Sequence, residues 1–585
     1  MEEKPSSFEP SHIEKTTDER SNESIRSGDD FNFTFGKFLA ILSFQLGYFA
    51  DLLCLTGTSA VLSVINRDIG PSPSYSWIAT SQIVGAAALA PVCGRLGDIF
   101  GRRNILFVGN IFGIIGAIIA ATSKDVNTMI AGGTFLGMAN AMHQVAWACL
   151  GEVVPKRSRG FAFGFFESSI ACGTVTGPLI GWGFVQNGSW RPLFWLTFAL
   201  NATALILVFF FYHPINQYIH EEGKTTMDQL KETDFIGTFL YIAGIVLFLW
   251  GISVGGQLYA WKSAGALAPL LIGFFLMVAM GFYEAYGRAH WPIFPPVIFR
   301  NVRGVTVILA GVFIYGILFY GTAVIWPQQV VALYAKSNMQ NGWYSTASGF
   351  GGLCTSPIYG WSMRKFGHVR WQLTFIIACL TLLSGCQAVV TPESHVASTA
   401  LVFLVYSFVA GTSILTAAMV QLNVEHEFIG VATGVMISVR TVGGAIGSTI
   451  YVSILQNKLT DNIAKDVGMP LALGGVAPAT IPEVIEALLA GNVADPALAA
   501  VKPQVLGLAV AGLKQAFASA FKIVYLTTIA FGVVGVVIVA FASDVDHLMT
   551  RKIEIRLEEG AIIHGHMDTG AGHIIRHEEK KLEEA

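Results

Sequence analysis

Charged side chains are scarce in this sequence. They make up 13% of the 585 residues, about half of the roughly 25% that is usual in soluble globular proteins. Because apolar residues reach 53%, the shortage of charge excludes an ordinary water-soluble domain and indicates a protein that lies in lipid. A bilayer core takes about 20 consecutive apolar residues as one helix, and stretches such as 235–254 reach that length.

Signals for several other classes of protein are missing as well. The net charge is -3 and no basic patch stands out, so we expect no nucleic-acid partner. The first 30 residues are polar without a basic flank and short apolar run, which argues against a cleaved signal peptide. The seven cysteines match no metal-ligand spacing, and no catalytic motif occurs outside an apolar span. The sequence therefore predicts no enzyme, no metal and no cofactor.

Cutting the chain at polar turns gives fourteen apolar spans. They are predicted at 37–65, 76–93, 104–122, 127–150, 160–184, 192–212, 235–254, 264–286, 304–333, 342–362, 371–391, 397–420, 430–456 and 517–543. Lipid offers backbone amides no partner, and no alternating ten-residue pattern suggests a barrel. The predicted fold class is an all-α membrane protein.

The basic residues predict the orientation, since cytoplasmic loops hold the excess of lysine and arginine. Four even-numbered loops carry three basic residues each: Arg95, Arg102 and Arg103; Lys156, Arg157 and Arg159; Arg288, Arg300 and Arg303; Arg364, Lys365 and Arg370. Both termini are therefore predicted to be cytoplasmic. The thirteenth loop, 457–516, is far longer than a helix connection needs and is predicted outside. Its second part, 504–517, is amphipathic and is expected at the membrane interface.

The chain repeats itself. Gly94 and Gly101 recur 266 residues later as Gly360 and Gly367. Four glycines of the fifth span recur 270 residues later: Gly160, Gly164, Gly173 and Gly177 match Gly430, Gly434, Gly443 and Gly447. The repeat predicts two six-helix halves around a central path.

The predicted organisation runs through the whole chain. It comprises a disordered cytoplasmic tail 1–36, a first half 37–212, a cytoplasmic loop 213–234, two extra helices 235–286, a second half 304–543 that includes the outside loop, and a cytoplasmic tail 544–585. Asp98, between spans two and three, is expected to pair with arginines of its own turn and with Arg370, closing the inner side in one state.

The segment "GRLGDIFGRR" (94–103) resembles the signature between spans two and three of the major facilitator superfamily. The predicted cytoplasmic gate consists of five residues of this segment, Gly94, Asp98, Gly101, Arg102 and Arg103, together with Arg370 from the second half. "GFFESSIACGTVTGPLIG" (164–181) is similar to the antiporter signature of the fungal fourteen-span drug:proton antiporters, which it matches at Gly164, Gly173, Gly177, Pro178 and Gly181. The amino-acid sequences of segments 66–81 and 187–196 further resemble those of the branch of trichothecene efflux pumps.

The resemblance implies a major facilitator fold and a monomer in the plasma membrane of a fungus. It implies export of small organic toxins or drugs by alternating access, driven by protons. The sequence departs from the superfamily at span four, where Gly133 stands at the position that usually carries an arginine. Proton coupling by that arginine is therefore not available.

Ionisable residues inside apolar spans are candidates for coupling, because a charge at the bilayer centre costs about 2.5–3.5 kcal/mol. The predicted coupling residues are Asp51, Glu167 and Arg440, and a carboxylate of the first half is the expected partner of Arg440. Glu167 and Glu284 lie nearer helix ends, where snorkelling or a gate role competes. Polar and aromatic residues are predicted to line the substrate cavity, with helix packing as the competing role: Gln45, Tyr48, Gln82, His143, Gln144, Trp147, Phe319, Tyr320 and Trp326.

Two other functions remain open from the sequence. The first is uptake of siderophore-bound iron instead of export, since fungal siderophore transporters are also fourteen-span members of the superfamily with a long final outside loop. The span-five pattern favours export. A non-transporting nutrient sensor is the second, and its usual large structured cytoplasmic tail is missing from 544–585.

Overall fold

The computed structural model describes residues 35–549 except 71, 73, 76, 155–157, 214–232, 256–258, 287–291, 335–336, 390, 426–427, 491–495 and 500. Three predicted segments lie largely outside the described residues. They are the tail 1–36 up to residue 34, the loop 213–234 at residues 214–232, and the tail 544–585 from residue 550 onward. Helices are the regular elements of the described residues, beside an isolated β-bridge between Gly255 and Tyr259.

Eight helices form the first half. They are α1 (Phe35–Ala60), α2 (Leu62–Ile69), α3 (Trp77–Phe100), α4 (Arg102–Thr122), α5 (Val126–His143), α6 (Ala146–Val153), α7 (Arg159–Gln186) and α8 (Pro192–Phe211). The first predicted span is broken at Val61 and the fourth at 144–145. Two extra helices follow, α9 (Phe235–Val254) and α10 (Ala264–Tyr286).

The second half repeats this arrangement with longer elements. It comprises α11 (Pro296–Arg300), α12 (Val307–Gln329) between π-helical turns at Val302–Thr306 and Val330–Tyr334, α13 (Asn338–Phe366), α14 (Val369–Cys386), α15 (His395–Leu422), α16 (Ile429–Ile463), α17 (Met469–Leu473), α18 (Ile481–Ala490), α19 (Pro496–Ala499) and α20 (Pro503–Ala540). Short 3₁₀ turns lie at Gln387–Val389 and Asp546–Leu548, and a further π-helical turn lies at Ala464–Gly468.

Eleven helices of the described residues are long and apolar enough to cross a bilayer. Each predicted span has a helix, but those at 127–150, 160–184 and 342–362 are not among the eleven. The corresponding helices are α5, α7 and α13. Both α7 and α13 are rich in glycine, serine and threonine, and they pack on each other along the interface between the halves. Small residues at such interfaces let backbones approach closely.

The sequence repeat is matched by a repeat of contacts. A Cβ on Gly94 would collide with the carbonyl of Gly430, and a Cβ on Gly360 would collide with the carbonyl of Gly160. Gly94 and Gly360 are equivalent in the repeat, and so are Gly160 and Gly430. The same contact between equivalent glycines therefore occurs twice across the interface of the halves. The turns agree as well, since Gly101 and Gly367 both adopt positive φ, 87° and 60°, a region that strains other residues.

The same end of the bundle carries residues 94–103 and 360–370, and we call it the Asp98 face. Here the two halves share one hydrophobic core, in which Trp147 and Phe163 of the first half join Leu415 and Val431 of the second. Toward the opposite end the buried residues form separate clusters in each half. The halves are therefore joined most tightly at the Asp98 face, and this conformation is closed there.

Helices α16 and α20 are longer than one bilayer crossing needs, and both extend at the end opposite the Asp98 face. With 35 and 38 residues they span roughly 52 and 57 Å, against a hydrocarbon core of about 30 Å. Their extensions, with the short helices between them, form a small core that includes Val467, Leu471 and Val484. Residues 504–517 do not form a helix of their own, because they are the first turns of α20 and pack in this small core.

Candidate functional site

Asp51 and His143 form a buried pair inside the first half. Oδ2 of Asp51 lies 2.7 Å from Nδ1 of His143, and both side chains are almost fully buried. Asp51 comes from the middle of α1 and His143 from the last residue of α5. Gly47 makes room for the imidazole, since a Cβ there would lie 2.9 Å from Nε2 of His143. The sequence predicted His143 as a cavity residue, and the structure joins it to the carboxylate.

One polar atom of each partner is left over. Oδ1 of Asp51 and Nε2 of His143 are buried without a hydrogen-bond partner in the described residues. A buried polar atom without a partner is costly and calls for an explanation. Since an imidazole and a carboxylate both bind protons, the pair has the chemistry to accept and release one.

Arg440 lies between the two halves, surrounded by one carboxylate and three phenols. The guanidinium on α16 interacts electrostatically with Glu167 of α7, Tyr48 of α1, and Tyr315 and Tyr320 of α12. It also hydrogen-bonds Tyr48. The prediction that a first-half carboxylate faces Arg440 therefore agrees with the position of Glu167. A charge held at this depth needs such a partner.

The predicted cavity residues divide into two groups. Tyr48, Phe319 and Tyr320 lie together near Arg440, with the Phe319 ring centroid 4.6 Å from that of Tyr320. Gln45 on α1 is half-buried. Apart from His143, which pairs with Asp51, the structure places the others in helix packing, the competing role for such residues.

Two of these are aromatic residues of the core. Trp147 is 2% exposed and packs edge-on against Phe163 and Phe166, and Trp326 is 1% exposed and donates to the Tyr344 carbonyl. Both therefore lie in the core, since apolar rings fill cores as readily as binding sites.

Two glutamines also lie in contacts between or within helices. Gln82 is buried against the backbone of α5, where Gly137 leaves no room for a side chain between them. Gln144 donates from Nε2 to Oδ1 of Asn140 at 2.5 Å. Both serve the packing of α5 and its C-terminal end.

Two residues near Arg440 were not anticipated. Ser413 on α15 hydrogen-bonds both Glu167 and Tyr315, and it is 3% exposed. Tyr315 precedes Phe319 by one helical turn, and its ring stacks on that of Phe319 with centroids 5.9 Å apart. The i, i+4 spacing on one face of α12 was the available signal for Tyr315. Ser413 carried none.

Asp98 closes its face through the main chain of the other half. Its Oδ1 accepts from the Gly430 amide at 3.1 Å and its Oδ2 from the Val431 amide at 2.8 Å. These amides belong to the first turn of α16, whose N–H groups have no partner inside the helix. Arg102 donates to Oδ1 at 2.9 Å. The expected pairing within the turn is present.

Arg370 does not supply the second contact that the sequence predicted for Asp98. It donates to the Ala542 carbonyl, at 3.4 Å, and stacks on Trp371. Arg103, also predicted in the gate, donates to the Phe209 carbonyl at 2.8 Å. Both arginines therefore stay within their own half, and the contact between the halves is made by Asp98 with backbone amides. Backbone donors leave no mark in a sequence, which explains the error.

The glycines of the antiporter signature allow α7 to approach two helices. Gly173 packs on the Phe49 carbonyl and Gly181 on that of Gly57, where a Cβ would lie 2.9 and 3.0 Å away. Gly177 meets α1 in the same way. On another side Gly164 meets the backbone of α13 at Ser356. The carbonyl of Pro178, inside α7, would lie 3.6 Å from a Cβ on Gly342. The signature thus fixes the close packing of α7.

Comparison with known proteins gives a consistent result. The family described as "Fungal trichothecene efflux pump (TRI12)" matches residues 29–577. The chain is 30% identical over 539 residues to the trichothecene efflux pump TRI12 of Trichoderma arundinaceum, which covers 88% of this chain and 87% of the relative. It is 26% identical over 521 residues to TRI12 of Fusarium sporotrichioides, with coverage of 88% and 87%.

A solved structure shares the fold. The human organic anion transporter MFSD10 (TETRAN) superimposes with a TM-score of 0.53 at 14% identity, over 86% of this chain and all of the other. This likeness shows the all-helical major facilitator fold.

Proposed function

The chain belongs to the fungal trichothecene efflux pump family of the major facilitator superfamily, and we propose that it exports small organic toxins of the trichothecene kind in exchange for protons. It is thus an efflux transporter and not an enzyme. The observation that carries the proton coupling is the buried Asp51–His143 pair, which lies beside the charged cluster that joins the halves.

The pair is suited to carry the proton. A carboxylate and an imidazole that share one hydrogen bond form a charged pair when the site holds one proton, and a cation when a second proton binds. Because burial strongly penalises net charge, the second proton stays only while the site is open to water on the acidic side. Alternating access then releases it on the other side.

The cluster around Arg440 is suited to bind the substrate. Its guanidinium and three phenols offer hydrogen bonds to the oxygens of an organic toxin, and the rings of Phe319 and Tyr320 offer apolar contact. Such mixed lining is usual in small-molecule sites.

A short path links the two sites. Tyr48, which hydrogen-bonds Arg440, and Asp51 are three residues apart on α1 and share one face. Loading of the pair with a proton therefore acts on the substrate cluster through one helical turn.

The membrane placement is part of the proposal. Helices α5, α7 and α13 cross the membrane with the eleven apolar ones, which gives fourteen spans. The Asp98 face is cytoplasmic, since the basic residues of the even loops gather there. In that case both termini are cytoplasmic and this conformation is closed to the cytoplasm. The protein works as a monomer in the plasma membrane.

The test uses purified protein in liposomes with an acidic lumen and a radiolabelled trichothecene outside. Protons leaving the lumen drive the toxin inward if the protein is an antiporter. Each proton crossing 100 mV supplies about 2.3 kcal/mol, which sustains up to a roughly forty-fold gradient. We expect accumulation that collapses with the pH gradient.

Asp51→Asn separates coupling from binding, and Asp125→Asn, at an exposed helix cap, is the matched control. We expect gradient-driven accumulation to disappear in the first and to persist in the second. Accumulation only when the lumen is alkaline would indicate symport, as in an uptake system, and would contradict export. A sensor would bind the toxin and move none.

A further inference from the structure

A second pair of buried carboxyl groups lies between the two extra helices. Asp234 immediately precedes α9 and Glu284 lies near the end of α10. Their side chains belong to residues that are 5% and 8% exposed. The two groups meet over Gly237, where a Cβ would collide with Oδ2 of Asp234 and lie 3.2 Å from Oε1 of Glu284. Neither Asp51 nor His143 belongs to this site.

One oxygen of each carboxyl group is already bonded. Oδ1 of Asp234 caps α9 by accepting from the Gly237 amide at 2.8 Å. Oε1 of Glu284 accepts from the amides of Ile293 and Phe294 at 3.0 and 3.4 Å, and so ties α10 to the segment that leads into the second half.

The other oxygen of each group lacks a hydrogen-bond partner among the described residues. Oδ2 of Asp234 and Oε2 of Glu284 are buried without a hydrogen-bond partner in the part of the chain that the structure describes. Two ionised carboxylates side by side in a buried site repel each other, and such pairs elsewhere hold one proton between them. A proton supplies the donor that is missing. A hard metal cation would need about six oxygens, more than this pair offers.

Among the residues that the structure describes, the charged and titratable groups around the pair come from two helices. Tyr283 of α10 contacts Asp234, and Arg95 of α3 interacts electrostatically with Glu284. Arg95 also interacts with Asp98. One cation is thus shared between this pair and the carboxylate that closes the Asp98 face. Helix α16, which also packs on α9, contributes the Ser438 hydroxyl, which hydrogen-bonds Tyr241 of α9.

We propose that Asp234 and Glu284 form a proton-binding site in the extra helix pair, in which the two carboxyl groups share one proton. The site is separate from Asp51–His143, and it does not depend on which compound the protein exports. Loss of the proton leaves two negative charges, which repel each other and push α9 from α10. These charges also attract the guanidinium of Arg95 more strongly. The site therefore links the protonation of the extra helices to the closure of the Asp98 face.

The test is infrared difference spectroscopy of the full-length protein in lipid nanodiscs during a pH titration, read at the carbonyl stretch of protonated carboxyl groups. Asp234→Asn and Glu284→Gln keep the oxygens that accept the amide bonds, so both variants retain the fold; size-exclusion profiles and melting temperatures verify this. Asp51→Asn is the control, because it removes a different buried carboxyl group.

We expect a component of the pH-dependent carboxyl band of the wild type to be lost in each of the two single variants and to remain in Asp51→Asn. A band that is unchanged in both single variants would overturn the proposal. Loss in Glu284→Gln alone would also overturn it, because the proton would then belong to one residue. A carboxyl band that responds to sodium and not to pH would mean that the site binds a metal cation, and it would overturn the proposal. Because no transport is measured, failure of export leaves this result intact.

Discussion

Replacing Asp98 by asparagine tests how the Asp98 face is held closed. The carboxylate accepts from the Gly430 and Val431 amides and pairs with Arg102, and both charged residues are nearly fully buried. Asparagine keeps the size of the side chain but loses the charge and one accepting oxygen. Removing one partner of a buried ion pair costs about 3–5 kcal/mol. At about 1.4 kcal/mol per tenfold, opening becomes roughly 100- to 4,000-fold more frequent.

Hydrogen exchange measures this opening directly, because the Gly430 and Val431 amides have Asp98 as their acceptor and exchange when the face opens. We expect exchange at these two positions to accelerate by the same factor in Asp98→Asn. Asp125→Asn alters a helix cap elsewhere and is expected to leave both amides unchanged. An acceleration below tenfold in Asp98→Asn would refute the view that this carboxylate holds the halves together.

Gly94→Ala places a methyl group against the facing carbonyl of the other half, so we expect it to hold the Asp98 face open and abolish flux, whereas Gly183→Ala, which meets nothing within 4 Å, keeps wild-type flux. Arg440→Ala leaves its carboxylate partner without a cation; we expect the free energy of unfolding to fall by about 3–5 kcal/mol, seen as a lower melting temperature. Hydrogen bonds from the Thr128 side chain and amide lower the pKa of the exposed Asp125 carboxyl group. This cap is therefore fully formed above the usual pKa of about 4 and is lost as pH falls further, so the amide protection of Thr128 is expected to decline in acid, and Asp125→Asn to remove that dependence.

The sequence predicts much of the architecture because lipid restricts the chain to apolar helices. The fourteen spans each have a helix, and the glycine repeat appears as matched contacts between Gly94 and Gly430 and between Gly360 and Gly160. Hydrophobic periodicity does not show where an apolar helix leaves the bilayer. For this reason the predicted span began at residue 517, although the helix begins at Pro503.

The site was harder to predict. A carboxylate of the first half could be predicted opposite Arg440, since a charge buried in an apolar span needs a counter-charge. It did not join His143 to Asp51, because the two are 92 residues apart and no spacing rule connects them. Trp147 and Trp326 were placed in the cavity and lie in the core. An aromatic residue in an apolar helix fits either place, and only the packing of neighbouring helices decides.

Distances across the two ends of the bundle test alternating access most directly. In a background without native cysteines, spin labels at Asn104 and Lys365 report on the Asp98 face, and labels at Asn187 and Glu393 report on the opposite end. All four residues are exposed. We expect toxin and a pH gradient to lengthen the first distance while the second shortens. Two distances that change together, or that do not change, would contradict the account.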